Sequence, residues 1–207
     1  MAVQTGPVQR LSGSAAERKP EMSVTRISHP FGPLFDAHSR ILILGSFPSI
    51  KSREQNFFYG HPQNRFWKVI AALFDQDPPV TIAEKKELIL SHGMALWDSI
   101  ASCVIEGSSD ASIRDVRAND LRIILDNSPI EKICCNGRKS YEMYQKYIQD
   151  RVGREAICLP STSPANAQFS LEKLIAAWSV LKEEVGSAAA AGQAFEAGRR
   201  GRGDPPA

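Results

Sequence analysis

Arg40-Ile-Leu-Ile-Leu-Gly45-Ser-Phe-Pro-Ser49 is the stretch that decides the fold. Its unbroken apolar run marks a strand covered on both faces, because a half-exposed strand would alternate apolar with polar. Glycine ends the run. Hydroxyl residues and a proline follow, which is the composition of a turn. Residues 131–136, Glu-Lys-Ile-Cys-Cys-Asn, read as a second strand ended by Asn-Gly. Residues 155–160, Glu-Ala-Ile-Cys-Leu-Pro, read as a third.

Helical patterns separate these strands. Phe66, Trp67, Ile70, Leu73 and Phe74 share one face of a helix over residues 64–74. Thr81-Ile-Ala-Glu84 has the spacing of a capping box and predicts a helix to about His92. A short helix fits residues 120–126, and a longer one fits 138–149 with Tyr141, Tyr144 and Ile148 on one side. Ser170 caps a last helix that carries Leu171, Leu174, Ile175, Trp178 and Leu181. Strands alternating with helices predict an α/β fold, a three-layer α/β/α sandwich with a mostly parallel central sheet. Ligands of such sheets bind beyond the carboxyl ends of the strands. That rule gives weight to two loops, residues 45–49 after the first strand and 160–166 after the third.

At 207 residues the chain has room for about one domain with tails. With 43% hydrophobic and 23% charged residues it is neither a wholly disordered, a collagen-like nor a coiled-coil sequence. No apolar run approaches the roughly 18 residues of a membrane-spanning helix. Residues 1–25 and the low-complexity stretch 186–207 lack periodicity and are expected to be disordered, leaving 26–185 as the folded domain. The formal net charge of +2 comes from the tails: Arg10, Arg18, Lys19, Arg26, Arg199, Arg200 and Arg202 outnumber Glu17, Glu21, Glu196 and Asp204. The nearly neutral trunk excludes a histone-like field but leaves room for a local basic groove. Cys103, Cys134, Cys135 and Cys158 form no Cys-x-x-Cys pair, and His29, His38, His61 and His92 have no metal spacing. Reduced thiols and the lack of a basic start before an apolar core predict a cytoplasmic protein. No metal, no cofactor and no membrane contact are expected, and a monomer is.

The chemistry concentrates around the first loop. Lys51, Arg53, Arg65 and Lys68 against Glu54 give this region a local excess of positive charge, interleaved with Phe47, Phe57, Phe58 and Tyr59. Cations mixed with flat rings suit unstacked nucleobases. The same mixture also fits a core with a solvated cationic rim. The second loop offers Ser161, Thr162 and Ser163 to phosphates, stiffened by Pro160 and Pro164. No Gly-x-x-x-x-Gly-Lys, Gly-x-Gly-x-x-Gly or Gly-x-Ser-x-Gly appears. Asp98, after Trp97, reads as a turn cap.

Together, GSFPS at 45–49, YGHPQNRFWKVI at 59–70 and LPSTSPAN at 159–166 resemble the uracil-DNA glycosylase superfamily, and most nearly its hypoxanthine-DNA (deoxyinosine) glycosylase branch. His29-Pro-Phe, the stretch from His92 to Asp98, and Gly107-Ser-Ser-Asp110 extend the likeness. It implies a monofunctional glycosylase that acts on DNA containing deaminated bases. Asn64 is the implied catalytic residue. Ser46, Phe47, Pro48, Ser49 and Tyr59 would bind the base, with Tyr59 stacking on it. Ser52, Arg53, Ser161, Thr162, Ser163 and Asn166 would bind DNA. Phe47 departs from the superfamily, most of which has Asp or Asn there to orient water. Two alternatives stay open: a uracil or mismatch glycosylase, and a nucleic-acid-binding relative that lost catalysis.

Overall fold

The computed structural model describes residues 26–106 and 109–182. The expectations for the two tails therefore lie outside the described residues. The elements run β1 (Arg26–Ser28), β2 (Ile41–Gly45), α1 (Ile50–Gln55), α2 (Phe66–Leu73), α3 (Ile82–Leu90), β3 (Met94–Asp98), β4 (Ile100–Val104), β5 (Arg114–Ala118), α4 (Arg122–Leu125), β6 (Lys132–Asn136), α5 (Arg138–Tyr147), α6 (Gln149–Val152), β7 (Ile157–Leu159) and α7 (Leu171–Trp178).

Four strands form a parallel sheet in the order β3-β2-β6-β7. Every residue of β2 is buried, so both faces of its centre are covered, as its continuous apolar run requires. The register then does something useful. Gly45 pairs with Asp98 across β2 and β3, and Asn136 pairs with Leu159 across β6 and β7. The last residues of all four strands thus line one edge of the sheet, and both loops singled out above leave from it.

The chain departs from its sequence reading in several places. β3 was not expected as a strand, since Met-Ala-Leu carries no β-branched residue to signal one. Ser99 alone separates β3 from β4, and there the chain changes sheets. β1, β4 and β5 make a separate antiparallel sheet that was not foreseen, because β5 reads Arg-Asp-Val-Arg-Ala and is half exposed. The helix expected over 138–149 breaks at Ile148 into α5 and α6. Cys158 is exposed on edge strand β7, whereas Cys103, Cys134 and Cys135 are buried.

Other readings carry over. The Thr81 side chain accepts from the Glu84 N–H, and Glu84 accepts from the Thr81 N–H, completing the capping box of α3. Ser170 caps α7 by accepting from the Lys173 N–H. Tyr144 and Ile148 are buried from their shared face. Phe66 of α2 meets Trp178 of α7 edge to face at 5.8 Å between ring centroids. Trp178 is fully buried and its indole N–H donates to the Pro160 carbonyl at 3.0 Å. The last helix therefore anchors the start of the second loop. Among the described residues no helix is long and apolar enough to cross a membrane.

Replacing Trp178 with Ala removes a filled core position and that anchor together. Urea denaturation should show a loss of about 3–5 kcal/mol, near the limit of what a domain of this size withstands.

Candidate functional site

At the strand-end edge lies a cavity of about 110 Å³. Its wall is built from the first loop, Tyr59, Asn64, Asp98, Asn136 and the second loop. The two loops weighted from sequence do converge.

The first loop is braced from below. Gly45 is obligatory, because a Cβ there would stand 2.1 Å from Asp98 Oδ1. Ser49 caps α1 by accepting from the Ser52 N–H at 3.2 Å. Ser52 was expected to contact DNA, but it is buried and its hydroxyl accepts from the Gly60 N–H at 3.0 Å, which makes it an internal brace. Phe47 is buried in a small cluster with Ile100, Cys103 and Ile105, and it also lines the cavity. Arg53 donates to the Pro48 carbonyl at 2.7 Å with its guanidinium carbon 5.9 Å from the centre of the Phe47 ring. It stiffens the turn while remaining half-buried at the rim. Ser46 and Ser49 are half-buried in the wall.

Tyr59 was expected to stack on the base. It stacks on Phe66 at 3.8 Å, so one ring face is already covered. Its φ of 51° swings the side chain inward from the left-handed region. The hydroxyl is buried, and burial first, then the nearby Asp98 charge, pushes its pKa well above the usual phenol value. Tyr59 is thus a neutral floor for the cavity.

Asn64 is oriented without ambiguity. Its Oδ1 accepts from the Phe66 N–H at 3.0 Å and from the Thr162 hydroxyl at 2.9 Å. A backbone N–H only donates, so the atom facing it must be the amide oxygen. Nδ2 has no partner among the described residues, and it belongs to a side chain lining the cavity. The site therefore receives an N–H donor.

Arg65 was counted above as part of the basic surface, and the structure corrects this. Its guanidinium donates to four carbonyls of the second loop and its exit: Thr162 at 3.4 Å, Ser163 at 2.7 Å, Asn166 at 3.0 Å, and Phe169. Lys51 is paired with Glu54 at 2.7 Å. Of the four cations foreseen at the groove, Arg65 is thus turned into the protein, whereas Lys51 and Lys68 stay exposed.

The second loop is likewise tied down. Thr162, expected to grip phosphate, is fully buried, with both its hydroxyl and its N–H bonded to Asn136. Asn166 donates from Nδ2 to the Ser161 carbonyl at 2.9 Å, closing the loop on itself. Ser161 and Ser163 are half-buried at the cavity. Gly137, at φ 95°, lets Ser161 approach where a Cβ would meet the Ser161 Cβ at 2.8 Å.

Sequence reasoning missed two groups. Asp98, read as a cap, is only 5% exposed, lines the cavity, and has Oδ2 2.7 Å from His29 Nε2. Asn136, read as part of a turn, joins the wall and holds Thr162. Both are the final residues of parallel strands. The strand-end rule pointed at them, but it was applied only to the loops beyond.

Residues 33–182 match the family model described as the uracil DNA glycosylase superfamily. The chain is 36% identical over 146 residues to a hypoxanthine DNA glycosylase of Methanosarcina acetivorans, covering 70% of this chain and 91% of that protein. A protein of the same description from Methanosarcina barkeri is 32% identical over 150 residues, covering 72% of this chain and 93% of the relative. A solution structure from Methanosarcina acetivorans, described provisionally as a uracil DNA glycosylase, superposes with a TM-score of 0.63 at 31% identity, covering 76% of this chain and 99% of that one.

The Arg65 clamp is open to a direct test. Arg65→Met keeps much of the length but removes every donor. It should lower stability by about 1–3 kcal/mol, and amide hydrogen exchange should rise most in residues 160–169.

Proposed function

Because the chain belongs to the uracil DNA glycosylase superfamily, we propose that it is a DNA-repair glycosylase that hydrolyses the N-glycosidic bond of deoxyinosine, releasing hypoxanthine and leaving an abasic site. The observation that carries the reading is the polarity of the cavity wall. Asn64 offers an N–H donor, and Asp98 offers a buried carboxylate acceptor. Hypoxanthine presents a keto oxygen beside a ring N–H, the complement of that pair. Adenine presents an amine and a bare ring nitrogen, which would set donor against donor and lone pair against carboxylate. A buried mismatch of this kind discriminates strongly.

Deaminated adenine pairs poorly in a duplex, so extruding it costs less than extruding a normal base. Inside the cavity, Phe47 and the open side of Tyr59 supply flat apolar contact. Cleavage places positive charge on the sugar and negative charge on the departing base. The Asn64 amide and the backbone N–H groups of Phe47 and Ser49 stabilise the leaving base as that charge develops. An amide is no general base near neutral pH, so the rate rests on positioning and electrostatics with water as nucleophile. Among the described residues no lysine lines the cavity, which supports a monofunctional enzyme without strand cleavage. Arg53, Ser161, Ser163 and Asn166 lie where DNA would meet the rim. Thr162 and Ser52 act from behind it.

Uracil carries the same keto and N–H edge, so a uracil or mismatch glycosylase is the second reading. Duplexes with a single hypoxanthine, uracil or normal base, treated with alkali after single-turnover incubation, separate the two. Hypoxanthine should be released fastest. Faster release of uracil would overturn the preference, and binding without any abasic product would leave a catalytically silent relative. Asn64→Ala should fold normally and release hypoxanthine about 10²–10³-fold more slowly, the usual loss of one transition-state donor.

A further inference from the structure

We propose that Asn136, acting through Thr162, is a positioning residue that sets the direction of the Asn64 amide; the inference rests on Asn64 being the donor assigned above. Four hydrogen bonds make the chain. The Thr162 N–H donates to Asn136 Oδ1 at 3.0 Å. Asn136 Nδ2 donates to Thr162 Oγ1 at 2.9 Å. The Thr162 hydroxyl donates to Asn64 Oδ1 at 2.9 Å, and the same oxygen accepts from the Phe66 N–H at 3.0 Å.

Each link has only one possible polarity. At one end the Thr162 N–H can only donate, so Asn136 must turn its oxygen to it. That places the Asn136 NH₂ against the Thr162 hydroxyl, which must accept there. A hydroxyl has one proton. With its oxygen engaged by Asn136, that proton goes to Asn64 Oδ1. At the other end the Phe66 N–H makes the same demand on Asn64. Two backbone donors, on different parts of the chain, therefore agree on one orientation. The Asn64 oxygen is held behind the wall and its NH₂ toward the base.

The parts are placed to keep this wiring. Thr162 is fully buried, so water does not compete for its hydroxyl. Asn136 is the last residue of β6, held by the sheet against Leu159 of β7. The second loop is pressed onto Asn64 by the Arg65 backbone N–H, which donates to the Thr162 carbonyl at 3.1 Å. A rigid strand end thus reaches the reacting centre through one side chain of a loop. If the chain were reversed or broken, Asn64 would keep only one of its two restraints. Its oxygen would then be held by the Phe66 N–H alone and would turn more readily toward the developing negative charge on the leaving base.

Three variants test this. T162V keeps the shape and removes the hydroxyl. T162S restores the hydroxyl. N136D still accepts from the Thr162 N–H but no longer donates, so the hydroxyl proton is drawn to residue 136 and away from Asn64. N136D also adds a carboxylate near Asp98, so its fold is checked by thermal melting, and T162V, which adds no charge, carries the test if N136D unfolds. Single-turnover release of hypoxanthine should fall about tenfold in T162V and N136D, the worth of one well-placed hydrogen bond. Affinity for the same lesion duplex should stay within about threefold in both, and T162S should recover most of the rate lost in T162V. The Asn64 side-chain amide resonances, assigned by their loss in Asn64→Ala, should shift in T162V and N136D and return in T162S. Full rate in T162V, an equal loss in T162S, or unmoved Asn64 resonances would overturn the proposal. Failure of the unaltered protein to release hypoxanthine would instead sink the functional reading, while the amide resonances would still report on the wiring.

Discussion

One guanidinium makes most of the bonds that hold the second loop against the start of α2. Arg65 stands at the N-cap of α2, and its backbone and side chain both reach the second loop. Taking a cation out of water is expensive unless its donors are used. Here four carbonyls receive them, and those carbonyls would otherwise be poorly satisfied in a loop that folds back on itself. The neighbouring residue, Asn64, then has a wall to lean on. One dipeptide thus divides the work: Arg65 fixes where the second loop lies, and Asn64 presents an amide from the place so fixed.

The rest of the cavity follows the same economy of buried polar groups. Asp98 reaches the floor because Gly45, its partner across the sheet, has no side chain to block it. His29 supplies a polar partner from the segment that follows β1. Ser99 and Ser140 extend the polar layer beneath the first loop, with the single proton of the Ser140 hydroxyl shared between the carbonyls of Leu44 and Gly45 at 2.8 and 2.9 Å. A site lined this way is preorganised. The side chains that present its free polar atoms are held by neighbours through their other atoms, as Asn64 is through Oδ1, so little reorganisation remains when charge develops. One cation of the first-loop region, Arg65, is drawn inward for this, and Arg53 braces the Pro48 carbonyl while staying half-buried.

Much of the architecture was legible from local pattern. The runs of apolar residues at 41–44 and 133–135 marked buried parallel strands because only a strand covered on both faces tolerates such a run. The capping residues Thr81 and Ser170 marked helix starts because their side chains satisfy otherwise orphaned N–H groups. The antiparallel sheet was not legible. β5 is short and charged, and it exists because β4 offers it an edge rather than because of its own composition. The site divides in the same way. Asn64 and the two loops stood out by motif, whereas Asp98 and Asn136 looked like ordinary turn residues.

From sequence alone came the layered α/β plan, the two loops at one edge, and the family that their motifs resemble, since these depend on periodicity and on residue types within short windows. Tertiary structure alone decided the strand register, the inward turn of Arg65, the burial of Ser52 and Thr162, and which atom of Asn64 faces the cavity. Those depend on contacts between residues as far apart as Asn64 and Thr162. A hydrogen bond has direction and a sequence does not record it, so the polarity of the site appears only once its donors and acceptors are brought together.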